Sequence, residues 1–522
     1  MHRCLEIQEL VRLIFESLTP IQLGVRVHNG EKLWKEQLQQ VLNLAITCRA
    51  FSEPALDLLW KRQDTLFNLL KTFPPSLWEV QVQDSEDFDE DSEAAFKFCG
   101  TIQSSHWDRT QFYARRISSM QLNCVPLDVL DALSRAAPAD SACLLPNVQY
   151  VSWLEDDTHA FSHAQLLLGS RLTSIFLRPG NGRQFRVYSP LLAYLSTHHQ
   201  SLTRFSLYSL GTTVCDEGLT NALSACLPAL QQLQEVMIQV LTAPVLRTLS
   251  ALPELRELVV YHLQDSQGFQ TDDDASGTLV FPSLERLVVH AEDLPDVNSL
   301  LHNLGSKTPL RNFYGKTEQS PLQSHVHDFF TSFRDQRSLL HLTDLHMEFA
   351  QFYNGEKNLT GTTITPNLLH PLLGATNLRH LLLLGAIGLH LTNTFCVAMA
   401  EALPHLVTLS LHFATYTTEV NIISLAAFAR HCPKLHYIQM PLSATDLTEV
   451  DEDSLPPPQI GLESLHVLRS PISESPTLVA RLLAKLFPSL RYMSSNWRDD
   501  GEERDVTMGN QWNEVRELLK SR

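Results

Sequence analysis

The chain is short of positive charge. Its 522 residues carry 40 Lys+Arg against 58 Asp+Glu, a formal net charge of −18. A duplex nucleic-acid binder needs a positive footprint, and anionic membranes attract basic segments, so neither nucleic acid nor membrane is expected as a partner. Long apolar runs are missing as well. The longest, residues 381–389, falls far below the roughly 20 residues a bilayer span requires. The opening MHRCLEIQELVRLIFESL breaks its apolar residues with Glu6, Glu9, Arg12 and Glu16, whereas a secretory signal has an unbroken apolar core. Cysteine is sparse: nine residues, an odd number, with no C-x-x-C. Reduced thiols in cytoplasm or nucleus fit this pattern better than a disulfide framework.

Catalytic signatures are also absent. There is no G-x-x-x-x-G-K-[ST], no G-x-S-x-G and no H-E-x-x-H. Gly180-x-Gly182 lacks a third glycine, and the pairs His198-His199 and His325-x-His327 have no Cys or second ligand pair nearby. No catalytic residue, metal or cofactor is expected, and the chain is read as a non-enzyme. What is present is ample apolar material: 44% hydrophobic against 19% charged residues, enough to exclude wholesale disorder. At about 150 residues per domain this length suggests three or four domains, unless the chain repeats internally.

It does repeat. One phrase recurs: apolar, two variable, apolar, one variable, apolar. LPELRELVV places Leu255, Leu258 and Val260 in it; FPSLERLVV places Leu284, Leu287 and Val289. NLRHLLL, LPHLVTLSL, CPKLHYIQM and GLESLHV supply further copies starting at Leu378, Leu406, Leu435 and Leu462. Weaker copies start at Ile117, Val148, Leu172, Leu202, Leu233, Leu310, Leu342 and Leu490; the one at Leu310 has Gly315 in its third slot. The fourteen starts lie 22 to 36 residues apart, about 29 on average. Three alternating residues of each phrase predict a short strand, and stretches such as 424–430 and 478–487 have helical spacing. A single unit of this kind cannot bury its own apolar face, but stacked units share one core.

The phrase resembles the leucine-rich repeat, although a regular Asn or Cys position is missing: Ala386 and Ala414 stand there. The resemblance implies an α/β solenoid, with parallel strands on the concave face and helices on the convex face. Strand residues between the apolar slots then point outward. They include Phe176, Arg178, Arg204, Tyr208, Met237, Tyr261, Arg286, His290 and Tyr437. Aromatic, Met and Arg side chains dominate strong protein contacts, so these nine are the expected substrate-binding positions.

Residues 1–75 do not follow the repeat. Ile7, Leu10, Val11, Ile14, Phe15 and Leu18 form a helical apolar stripe. A second apolar stretch runs from Val41 to Phe51, Pro54 is expected to break it, and Leu56, Leu59 and Trp60 open a third helix. A polar insertion over 19–40 lengthens a loop or adds a helix over 32–44. The words Glu9-Leu10-Val11-x-x-Ile14-Phe15-x-x-Leu18, Leu44-Ala45-x-Thr47-Cys48-Arg49-x-Phe51 and Leu59-Trp60 resemble the divergent F-box of fungal F-box proteins, over about 60 residues. The usual Pro ahead of the acidic residue is replaced by Ile7-Gln8.

The resemblance implies a substrate-recognition adaptor of an SCF-type cullin-RING ubiquitin ligase. Leu10, Ile14, Phe15, Leu18, Leu44, Phe51 and Trp60 would meet a Skp-type linker protein, some of them instead holding the bundle together, and the repeats would bind a protein substrate. The competing reading is a non-ligase interaction scaffold whose helices only cap the stack. Some 50 residues between bundle and first repeat argue against a mere cap. They include 84–93, seven of ten acidic, a self-repelling block expected to be a solvated loop. The expected division is 1–75 helical module, 76–110 acidic linker, 111–497 repeat solenoid and 498–522 terminal tail or helix.

Overall fold

The computed structural model of the chain describes residues 8–18, 30–81, 95–123, 125–138, 143–155, 158–179, 188–208, 217–263, 279–304, 307–334, 341–350, 361–445, 447, 454–472, 475–497 and 503–521. The acidic stretch 84–93 lies outside them. Two compact units divide the chain, 1–237 and 238–522.

The first unit opens with three helices: α1 (Gln8–Leu18), α2 (Gly30–Thr47) and α3 (Arg49–Lys61). Val11, Phe15, Val41 and Ala55 make their core, with Leu44, Ala45, Phe51, Leu58 and Leu59 packed against it. The polar insertion thus contributes a helix. Pro54 does not break α3 but lies inside it, buried; the intrahelical bond it cannot donate and the crowding of its ring are absorbed within the bundle.

The expected separation between bundle and repeats is not there. α3 runs directly into a short strand, Arg62–Gln63, which pairs in parallel with Ser119 and Met120 of the first repeat. Trp60 stacks on Tyr113, ring centroids 4.5 Å apart, and Arg116 forms ion pairs with both Glu53 and Asp57 of α3. The segment read as an acidic linker is also structured at both ends. Trp78–Gln81 pairs antiparallel with Ala95–Phe98, and Phe96 packs on Phe67 and Trp78 at 5.5 and 5.6 Å.

The repeat strands behave as the phrase requires. In the first unit Met120, Val151, Ile175 and Phe205 are cross-strand partners in a parallel ladder. In the second unit the ladder runs Leu258, Leu287, Phe313, Leu345, Leu381, Leu409, Ile438, Leu465, Met493. Each of these is the second apolar slot of its phrase. The first slots Leu255, Leu284, Leu378, Leu406 and Leu435 are buried in the same way. Helices follow the strands, among them Leu294–Asn303, Gln323–Arg334, Asn393–Ala402, Ile422–His431 and Pro476–Leu486. Their starts are fixed locally: Asp293, Thr392 and Asn421 each accept a backbone N–H of the first turn, satisfying donors a helix start leaves open. This is the strand-and-helix unit of leucine-rich repeats, and the chain is a mixed α/β protein with a helical amino-terminal bundle.

Where the repeat lacks an Asn ladder, single polar side chains hold turns. Buried Gln459 donates to the carbonyls of Leu435 (2.9 Å) and Cys432 (3.3 Å) and accepts from the N–H groups of Gly461 and Leu462. The last residues form a docked element, the Glu503–Lys520 helix. Its Trp512 is buried, and both Trp512 and Trp497 donate to the carbonyl of Ser470 at 2.8 Å.

Candidate functional site

Two kinds of surface emerge. The first is on the bundle. A helix of three turns with one core to face needs one apolar stripe, but α1 is apolar beyond that stripe. Val11 and Phe15 point inward, Phe15 only 3% exposed with its ring 5.5 Å from that of Phe51. Leu10, Leu13 and Ile14 point out, at 39%, 61% and 42% exposed. On α2, Val41, Leu44 and Ala45 face the core while Leu42 and Ile46 do not, at 44% and 78% exposed.

The residues expected to meet a linker therefore separate. Leu10 and Ile14 are available at the surface. Phe15 is not: its burial makes it a core residue that fixes the angle of α1, and Leu44 and Phe51 pack on the same core. Trp60 spends its ring on Tyr113. Leu18 ends α1, and its side chain lies outside the described residues. Sequence reasoning missed Leu13, Leu42 and Ile46. The available signal was surplus: more large apolar side chains than one small core can take.

The second surface is the face of the strands turned away from the helices. Phe176, Arg178, Tyr208 and Met237 are half-buried there, and Arg204 is exposed with its guanidinium 3.0 Å from Glu235. In the second unit Arg286 pairs with Glu257 at 3.5 Å. Tyr261 meets His290 at 5.5 Å, His290 meets Tyr314 at 5.7 Å, and Tyr314 stands 4.4 Å from His346. Four neighbouring strands thus present an unbroken run of rings. Tyr437 is not part of it; its hydroxyl donates to Gln439 and its ring lies 5.1 Å from His466.

Burial disfavours the charged form of these imidazoles. It lowers the pKa of His290, with help from the Lys316 charge, and lowers those of His346, His412 and His466. Burial raises the Tyr314 phenol, reinforced by Glu348, and raises Tyr437.

A cleft of about 560 Å³ is lined by Arg12, Asp57, Lys61, Phe112, Arg115 and Arg116 among others. Its cations are mostly matched: Arg116 by Glu53 and Asp57, Arg12 and Lys61 by Glu16 at 3.6 and 3.9 Å. It is a joint between bundle and first repeat more than a receptor for anions.

No protein-family model matches the chain, and no curated protein is similar to it in sequence. Solved structures do resemble it. An internalin of Listeria monocytogenes is 14% identical, with 67% of this chain and 81% of that one covered and a TM-score of 0.36. Rad7, from the yeast Rad7 and Elc1 complex, is also 14% identical, with 93% and 87% covered and a TM-score of 0.36. A Bacteroides fragilis protein is 11% identical, with 76% and 78% covered and a TM-score of 0.23. The repeat assignment itself rests on the strand register.

Proposed function

We propose that the chain is a substrate-recognition adaptor of an SCF-type cullin-RING ubiquitin ligase. Its α1 and α2 dock on a Skp-type linker, and its strand faces hold a protein substrate. The observation that supports this is the outward set Leu10, Leu13, Ile14, Leu42 and Ile46. Single apolar residues on a surface are ordinary, but five of them on two neighbouring helices fit a contact surface. The F-box wording of the same helices supplies the partner's class. The mechanism is tethering: a substrate held beside a ligase gains effective concentration, and this chain performs no chemistry. Cytoplasm or nucleus is where such an assembly would work.

The second reading, a scaffold with a structural cap, draws support from α3, which runs into the strand paired with the first repeat. A cap explains α3 but leaves the outward residues of α1 and α2 without a purpose. Binding of purified full-length chain to a Skp-type linker tests the choice. The adaptor reading expects capture, and expects Leu13→Asp with Ile46→Asp to weaken it at least about tenfold, as removal of hot-spot contacts does. Because both side chains already face water, the melting temperature should barely move. Failure of the wild-type chain to capture any such linker leaves the scaffold reading.

A further inference from the structure

The adaptor reading does not say what the strand faces hold. We propose that the open strand face of the second unit, centred on Tyr314 and His346, receives an extended, uncharged peptide segment of a partner protein bearing aromatic or proline side chains, and needs no phosphate on it. The proposal deepens the adaptor reading and rests on it for the fate of the bound protein.

Three observations carry it. The first is the ring run itself. Tyr261, His290, Tyr314 and His346 touch in sequence across four strands, and the adjoining strand adds half-buried Leu382 and Leu384. Rings of this kind offer flat, amphipathic contact area at low entropy cost, suited to stacking against proline and aromatic groups. The second is charge. Arg286 is matched by Glu257 at 3.5 Å and Lys316 by Glu348 at 3.7 Å. Asp344 accepts from Asn312 at 2.6 Å and lies 3.9 Å from His380. A phosphate would have to draw Arg286 or Lys316 away from a carboxylate already beside it, and then sit near that carboxylate. Phosphate-reading sites instead offer unmatched arginines. The third is context. In a chain of net charge −18, a face whose Arg286 and Lys316 are each held beside a carboxylate offers no free positive charge to an anionic segment, and an uncharged one fits it better.

The test uses the full-length chain and two immobilised libraries of short peptides. One is degenerate in uncharged residues around a fixed Tyr, Trp or Pro. The other is identical except for a fixed phosphoserine or phosphothreonine. The expected result is retention by the uncharged library, with affinity changing less than about twofold between low and high salt, since no net charge is engaged. Tyr314→Ala should weaken retention at least about tenfold, and Tyr314→Phe should largely preserve it. Preference for the phosphorylated library, steep salt dependence, indifference to Tyr314→Ala, or no retention by either library would each overturn the proposal. Linker capture is measured on the same preparations. Wild-type chain that retains peptide but captures no linker refutes the adaptor reading alone; Tyr314→Ala that captures linker but loses peptide is folded, and its loss belongs to the face.

Discussion

Gly315 occupies a slot that its neighbours on either side fill with Val289 and Met347. From the sequence this looks like decay of the repeat. The structure gives a reason: a Cβ there would come within 2.5 Å of the Met347 sulfur and 2.9 Å of the Phe313 ring. Phe313 and the phenylalanines of the Gln323–Arg334 helix have taken the space. Restoring the apolar slot should therefore hurt. Gly315→Leu is expected to cost about 1–3 kcal/mol by overpacking, seen as a lowered melting temperature; a gain in stability would contradict this packing. His199 makes a second prediction. It is 2% exposed, and among the described residues neither ring nitrogen has a hydrogen-bond partner. Burial, with the His198 charge, pushes its pKa from 6.5 down to about 4. In that window the unfolded chain binds a proton that the folded chain refuses, so stability falls as pH drops from about 6.5 to about 4. The second unit's depressed histidines act in the same direction, so the comparison is with His199→Leu: its melting temperature should fall less steeply with acid than that of the wild type. Parallel slopes would show that His199 is not the group that matters.

At the scale of elements, what could be read from the sequence was whatever repeats. The second apolar slots that the phrase marks in unit two, Leu258 through Met493, all fall in one ladder, because burial on one side of a strand imposes a strict alternation. The helix over 422–431 was legible for the same reason. Elements used once were not. The antiparallel pair Trp78–Gln81 and Ala95–Phe98 was hidden by the acidic block between its strands. The strand Arg62–Gln63 is two residues long and owes its existence to Ser119 and Met120 far along the chain. Pro54 was read as a break because its tolerance inside α3 depends on tertiary packing. In the bundle, the apolar stripe was visible, but its division into Phe15 inside and Ile14 outside needs the positions of α2 and α3. The Glu503–Lys520 helix was expected as a tail or helix but not as a docked one, and its anchoring offers a direct check. Trp512→Ala removes a buried ring and the bond to the Ser470 carbonyl; it should cost about 3–5 kcal/mol. An unchanged melting temperature would mean that this helix does not seal the last repeats.

At the scale of the whole molecule, holding and assembling fall to different surfaces. Exposed repeat faces need covering: in the first unit α3 runs into the short strand paired with the first repeat, and in the second the Trp512 helix packs on the last repeats. The bundle serves twice in this view: α3 closes the stack, while α1 and α2 keep apolar side chains for another protein. Removing residues 1–75 outright would strip the strand Arg62–Gln63 and buried Leu69, Leu70 and Phe73 along with the docking helices, so loss of binding by such a fragment would report damage as readily as function. Substitution at the surface avoids that confusion. The most direct measurement is calorimetric titration of the full-length chain with a purified Skp-type linker, beside the Leu13→Asp, Ile46→Asp double variant of unchanged melting temperature. The account predicts saturable binding by the wild-type chain and its loss in the variant. No binding by the wild type, or equal binding by both, would contradict it.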